Sequence, residues 1–244
     1  MSFFREKVFP GLSEALWLLL LFLDLTRMAD STLVKFSAIC LCLVTALLGT
    51  DSPDGKLVAL ALCFTVGADW FLLVRNDHYP LGVTLFLMVQ ALYAYRLYLL
   101  RGRRRCKWGA ILRGTALAIF AAAALLLFIG TLSAFPAIQN GDEPAPFWSA
   151  LLAIFSPITL LFILLPLLYF ANLCVNTAEA FAIPRDRYSR RFAWGLLLFV
   201  GCDICVGAWN LELLGDFARI GMWLFYLPSQ VLIVLSVHRK GEEP

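Results

Sequence analysis

Two aspartates stand where an ionised side chain is costly. Asp69 lies in Gly67-Ala68-Asp69-Trp70-Phe71 and Asp203 in Gly201-Cys202-Asp203-Ile204, each inside a long apolar run. An ionisable group at membrane depth must be paired or hydrated to be tolerated, so it marks a functional site by default. At the helical rise, Asp69 falls roughly 20 Å and Asp203 roughly 17 Å from the inner edge of a hydrocarbon core about 30 Å thick. Both positions are near the midplane, slightly outward, and can face one cavity. Two carboxyls sharing such a cavity leave one protonated beside one ionised, which suits acid–base chemistry. The structural alternative is a hydrogen-bonded pair that locks helices together.

Their companions are polar and neutral. Gln90 and Gln230 also fall near the midplane, each on the apolar run that follows an aspartate run, with Tyr93 and Tyr226 close by. A glutamine there orients a water or a substrate oxygen, or simply hydrogen-bonds a neighbouring helix. Gly-x-Asp followed by Gln occurs twice, four runs apart and in the same orientation. A parallel repeat gives that pattern, as does chance in a motif of two fixed residues. Asp24 and Lys35 flank a short connection. They pair across it or line a cavity mouth, with plain solvation of a helix end as the expected case for Asp24. Asn172, Asn176 and Glu179 form one stripe, expected to be an interfacial face. Cys202-x-x-Cys205 has redox spacing, but on an apolar helix it is expected to be packing.

The elements that must position these groups are membrane spans. The chain has 244 residues, of which 61% are hydrophobic and 15% charged, with a mean hydropathy of +0.81. Soluble domains hold about 45–50% apolar residues, so lipid must cover much of this surface. Apolar runs occupy residues 11–26, 33–49, 56–74, 79–100, 108–134, 147–180, 192–210 and 217–237. The expected fold is an all-α polytopic helix bundle with about eight transmembrane helices. The first two runs are short and are expected to be the less lipid-exposed. The sixth is long and carries Pro157 and Pro166, so a kink or an extension past the membrane is expected. No cleavage site of small residues follows the first run, which reads as a retained helix. Residues 51–55 and 141–144 are turns, and nothing divides residues 1–244 into more than a single integral membrane domain.

Placing both termini in the cytoplasm puts Arg5, Lys7, Lys56, Arg101, Arg103, Arg104, Arg105, Lys107, Arg113, Arg185, Arg187, Arg190, Arg191, Arg239 and Lys240 on or near the inner side. Arg27, Lys35, Arg75 and Arg219 stay outside, and Arg96 sits in the inner half of its helix. The expected location is a bacterial-type plasma membrane. Arg103-Arg104-Arg105 anchors the inner face and can touch anionic lipid. The basic residues are explained by topology, so no nucleic-acid partner is expected. Only two histidines, His78 and His238, are present, and six of the seven cysteines lie in apolar runs. Neither a metal site nor a disulfide framework is expected, and the sequence holds no Gly-x-Ser-x-Gly elbow, P-loop or His-Glu-x-x-His.

Four stretches resemble the lysoplasmalogenase (YhhN-like) family of membrane proteins. Phe64-Thr65-Val66-Gly67-Ala68-Asp69 resembles its Phe-Ser-x-x-Gly-Asp. Gly82-x-x-x-Phe86-x-x-x-Gln90-x-x-Tyr93 resembles its Gly-x-x-x-Phe-x-x-x-His-x-x-Tyr. Phe199-Val200-Gly201-Cys202-Asp203 resembles its Phe-x-x-Ser-Asp, and Tyr226-Leu227-Pro228-Ser229-Gln230 its Tyr-x-x-x-Gln. Lys35 stands where the family has Lys-Pro. The departures are Ala68 for Gly, Gln90 for His, Cys202 for Ser and Phe36 for Pro. The change at Gln90 removes a titratable group and marks a divergent member.

The resemblance implies hydrolysis of the vinyl-ether bond of lysoplasmalogens to a fatty aldehyde and a glycerophospho-headgroup, with a membrane lipid or lysolipid as substrate and no cofactor. Asp69 and Asp203 are then the catalytic acid and base, in an order left open. Gln90 and Gln230 position water or the ether oxygen, Tyr93 and Tyr226 shape the pocket, and Lys35 meets the lipid phosphate. A non-enzymatic transporter or lipid-binding protein that uses the same aspartates for proton coupling is the competing reading.

Overall fold

A computed structural model describes residues 4–101, 109, 111–115, 118–119, 160–183 and 186–237. Nearly all of the fifth apolar run, the first part of the sixth with Pro157, the 141–144 turn, Arg103 to Lys107, Arg185, His238, Arg239 and Lys240 lie outside the described residues.

All regular structure among the described residues is helical: α1 (Phe9–Thr26), α2 (Thr32–Leu47), α3 (Pro53–Asp69), α4 (Tyr79–Arg101), α5 (Leu165–Phe181), α6 (Arg187–Asn210) and α7 (Gly215–Leu235). Single π-helical turns precede α1 (Phe4–Val8), follow α3 (Trp70–Val74) and precede α5 (Leu160–Leu164). Six helical stretches here are long and apolar enough to cross a membrane, and α2 is a shorter apolar helix. The chain is an integral, multi-pass membrane protein.

Local chemistry starts and stops these helices. Ser52 caps α3, its Oγ accepting from Gly55 N–H at 3.0 Å, with Pro53 in the first turn. Asp186 caps α6 by accepting from Ser189 N–H at 2.5 Å. Each cap satisfies an orphan donor of the first turn and contributes about 1 kcal/mol. Pro166 comes just after a π turn inside a continuous helical stretch, where its missing N–H leaves a carbonyl one turn back without a ladder partner.

Each of α2 to α7 packs against its neighbours in order, and α7 closes back onto α2, so among the described residues these six helices ring a common interior. The tightest interface joins α6 to α7. A Cβ added at Gly195 would stand 2.9 Å from Ile233 Cγ1 and 3.1 Å from the Ser229 carbonyl, so only glycine lets the backbones approach this far. Close contact of this kind, not apolar burial, holds helices together in lipid. α1 lies outside the ring against α7 and α2. It buries the smallest share of its length among the spans, with Leu18, Leu19, Phe22 and Leu25 exposed. The expectation that the first run is less lipid-exposed is therefore corrected: α1 reads apolar all round because only one side of it meets protein.

Candidate active site

Asp69 ends α3, where the chain widens from an α to a π turn; Arg75 N–H bonds the Trp70 carbonyl five residues back at 2.9 Å. A π turn inserts one extra residue and re-aims the side chains beside it, a device common at functional sites. Asp69 is only 6% exposed, and its Oδ2 accepts from the Tyr226 hydroxyl of α7 at 2.8 Å. Asp203, half-buried on α6, accepts at Oδ2 from the Tyr169 hydroxyl of α5 at 2.6 Å. Both carboxyls line one cavity of about 320 Å³, within the size range of small-ligand sites.

Aromatic rings form much of the cavity wall. Phe86 and Phe199 meet edge to face at 5.8 Å, Phe199 leans on Tyr226 at 5.6 Å, and Trp223 meets Tyr226 edge to face at 5.2 Å. At one end the cavity reaches Asn76 and Asp77 of the α3–α4 loop and Asn210 at the end of α6. The His78 ring nitrogen, 3.0 Å from Asp77, holds the Asp77 carboxyl below the usual carboxylate range, and Arg75 adds to this. The rim therefore carries an ionised carboxylate paired with Arg75.

Gln90, Tyr93 and Gln230 are buried in the ring, but none lines this cavity. They lie toward the opposite end, on the far side of the Phe86–Phe199–Tyr226 layer. Gln90 Oε1 accepts from Asn176 Nδ2 of α5 at 2.9 Å, and the same nitrogen donates to the Gln90 carbonyl at 2.9 Å. Asn176 and Glu179 are thus not part of an interfacial face, while Asn172 bonds the Leu168 carbonyl of its own helix. Asn176 and Glu179 are buried and turn inward, because Gln90, Arg101 and Arg113 give them partners there. Arg96 closes that end. Its guanidinium donates to Asp54 at 2.6 and 2.8 Å and to Ser236 at 2.7 and 2.8 Å, over the Phe192 ring at 4.3 Å.

Lys35 is buried beside the cavity but not on its wall. Its ammonium donates to Asp24 at 2.9 Å and stands 5.2 Å from the ring centre of Trp223, which does line the cavity. Asp24 is buried as well, accepts from Ser31 at 2.5 Å, and has Arg219 at 3.8 Å. Solvation of a helix end, the expected role of Asp24, is corrected to a buried ion pair. Lys35→Met, which strands that carboxylate, is expected to cost about 3 kcal/mol, read as a fall in melting temperature in detergent. Adding Asp24→Asn should recover most of the loss.

Tyr169 is the site residue that sequence reasoning missed. A signal existed, since Tyr169, Asn172, Asn176 and Glu179 recur at helical spacing and the polar stripe of α5 simply continues upward to the tyrosine. Cys202 lines the cavity, whereas Cys205 packs against α7: a Cβ at Gly221 would lie 2.7 Å from its sulfur. Both cysteines are free, as packing requires. The two Gly-x-Asp motifs do not share a partner pattern. Asp69 is served by α7, and Asp203 by the helix just before its own. Among the described residues, no group of three or more His, Cys, Asp or Glu side chains is placed to hold a metal ion.

No curated protein and no solved structure matches the chain significantly. The family model described as the YhhN family matches residues 31–237, a stretch that takes in Lys35, both aspartates, both tyrosine partners and every helix of the ring. The chain belongs to the YhhN family.

Proposed function

We propose that this protein is a membrane-embedded lipid hydrolase that cleaves the vinyl-ether bond of lysoplasmalogens. The observation that carries this reading is the pairing of Asp69 and Asp203 across one largely apolar cavity, each carboxyl oriented by a tyrosine O–H from another helix. One carboxyl, protonated, gives its proton to the β-carbon of the vinyl ether, leaving an oxocarbenium-like cation. The other, ionised, stabilises that cation and takes a proton from the water that adds to the α-carbon. The hemiacetal then collapses to the fatty aldehyde and the glycerophospho-headgroup, and one proton has passed from one aspartate to the other. The aromatic walls suit an alkenyl chain and a flat cation, and the polar rim suits a headgroup. The bundle sits in a bacterial-type plasma membrane with its Arg96 end toward the cytoplasm, where Arg5, Lys7, Lys56, Arg101, Arg187, Arg190 and Arg191 gather.

Purified protein in detergent, given a lysoplasmalogen, is expected to release an aldehyde that a hydrazine reagent traps. Intact substrate after incubation with well-folded protein overturns the reading. Tyr226→Phe and Tyr169→Phe each delete one hydrogen bond to a carboxyl and should slow release by about tenfold to a hundredfold, without loss of folded protein.

A further inference from the structure

Five polar side-chain atoms in the heart of the ring have no hydrogen-bond partner among the described residues: Gln90 Nε2, Tyr93 Oη, Ser229 Oγ, and both Nε2 and Oε1 of Gln230. All four residues are at most 1% exposed. Burying an amide or hydroxyl without a partner costs about 1–3 kcal/mol, so an orphaned set of this size needs a ligand.

The framework places the orphans at one level. α4 and α7 run in the same direction and are tied twice. Near one end, Phe86 of α4 and Tyr226 of α7 both touch the Phe199 ring. Near the other, Arg96 of α4 is bonded to Ser236, just past α7. Gln90 lies four residues after Phe86 and Gln230 four residues after Tyr226, one helical turn in each case. Both amides therefore fall between the same two ties, on helices that face each other across the ring. Tyr93 is held at this depth by its edge-to-face contact with Phe192 at 5.4 Å, and Ser229 precedes Gln230.

The ligand must be small, neutral, and both donor and acceptor. The orphans offer amide and hydroxyl donors together with the Gln230 carbonyl oxygen. Among the described residues near this level no cation is free to balance an anion, since Arg96 is engaged by Asp54 and Ser236 and Arg113 by Asn176 and Glu179. Water meets these terms, and buried water makes about three such bonds.

We propose that Gln90, Tyr93, Ser229 and Gln230 form a buried water-binding site on the inner side of the aromatic layer that floors the aspartate cavity. Resting on the hydrolase reading, this is the store from which Asp69 and Asp203 draw the water that each turnover consumes.

X-ray hydroxyl-radical labelling of the purified protein in detergent tests the site without any substrate, because bound water is itself the source of the radical. Tyr93 is expected to be labelled, while Phe9, 0% exposed in the apolar core, stays unlabelled. Gln230→Leu should abolish the labelling of Tyr93 without lowering the melting temperature, because the glutamine amide makes no bond within the protein. Tyr93 as unreactive as Phe9 in the wild type overturns the site, as does labelling that persists in Gln230→Leu. The supply role is read from kinetics: Gln230→Leu should lower kcat for aldehyde release with KM held. An unchanged kcat with labelling lost overturns the supply role. Labelled Tyr93 in a protein that releases no aldehyde upholds the site and removes the hydrolase reading instead.

Discussion

Asp69→Asn and Asp203→Asn are each expected to lower aldehyde release by about 10²- to 10⁴-fold, the usual worth of a positioned acid or base. Asparagine keeps the shape of the side chain and an oxygen that can accept from Tyr226 or Tyr169, so the tyrosine bonds survive and the fold with them. The melting temperature should shift little, by the equivalent of about 1 kcal/mol or less. Only the proton and the negative charge are lost, which are the properties the reaction uses. The double variant should be little worse than either single one, because two groups that share one proton fail as a unit. Single-turnover release by wild type and variants in one detergent reads all of this. If both substitutions leave release intact, the carboxyls are structural. If wild type releases nothing but carries a solute in a proton-dependent way that both variants lose, the transporter reading replaces the hydrolase.

What was legible in the sequence follows from which signals are local. Hydropathy exposed the spans because lipid imposes one composition along a whole helix, and the depth of Asp69 and Asp203 followed from counting residues. That both reach one cavity was readable only as a possibility, since facing depends on helix rotation, and a π turn after Asp69 adjusts it locally without a sequence mark. For Lys35 and Asp24 the sequence offers pairing across the connection as one option, with solvation of a helix end as the expected case for Asp24. The structure pairs them directly, and a second cation, Arg219, from a helix far along the chain, closes over them. The stripe of Asn172, Asn176 and Glu179 had the right spacing and the wrong direction. Polar residues at the end of a span usually meet headgroups, and only the partners on α4 reveal that Asn176 and Glu179 point inward. The polar stripe reaches Tyr169, but nothing in its own segment requires its hydroxyl; Asp203, on the next helix, does.

Arg96 carries the largest expected effect on stability. As sequence it was one more cation on the inner half of a span; in the ring it is 1% exposed, with Asp54 on two of its nitrogens and Ser236 on its side-chain and main-chain oxygens. These bonds tie the start of α3, the last half of α4 and the end of α7, so one guanidinium fixes three helices at the end of the ring opposite the cavity rim. Asp54→Asn leaves that charge buried without its counter-ion and is expected to cost about 3–5 kcal/mol, a fall in melting temperature of order 10 °C for a chain of this size. Arg96→Lys keeps the charge but cannot span both carboxylate oxygens or lie flat on Phe192, so it should fall between wild type and Asp54→Asn. Arg96→Met with Asp54→Leu removes both charges, and apolar replacement of a whole buried pair is often neutral. That double variant should melt well above Asp54→Asn. Melting of the three variants in one detergent decides the matter. A double variant no more stable than Asp54→Asn would mean that the hydrogen bonds to Ser236, not the compensation of charge, hold this end of the bundle closed.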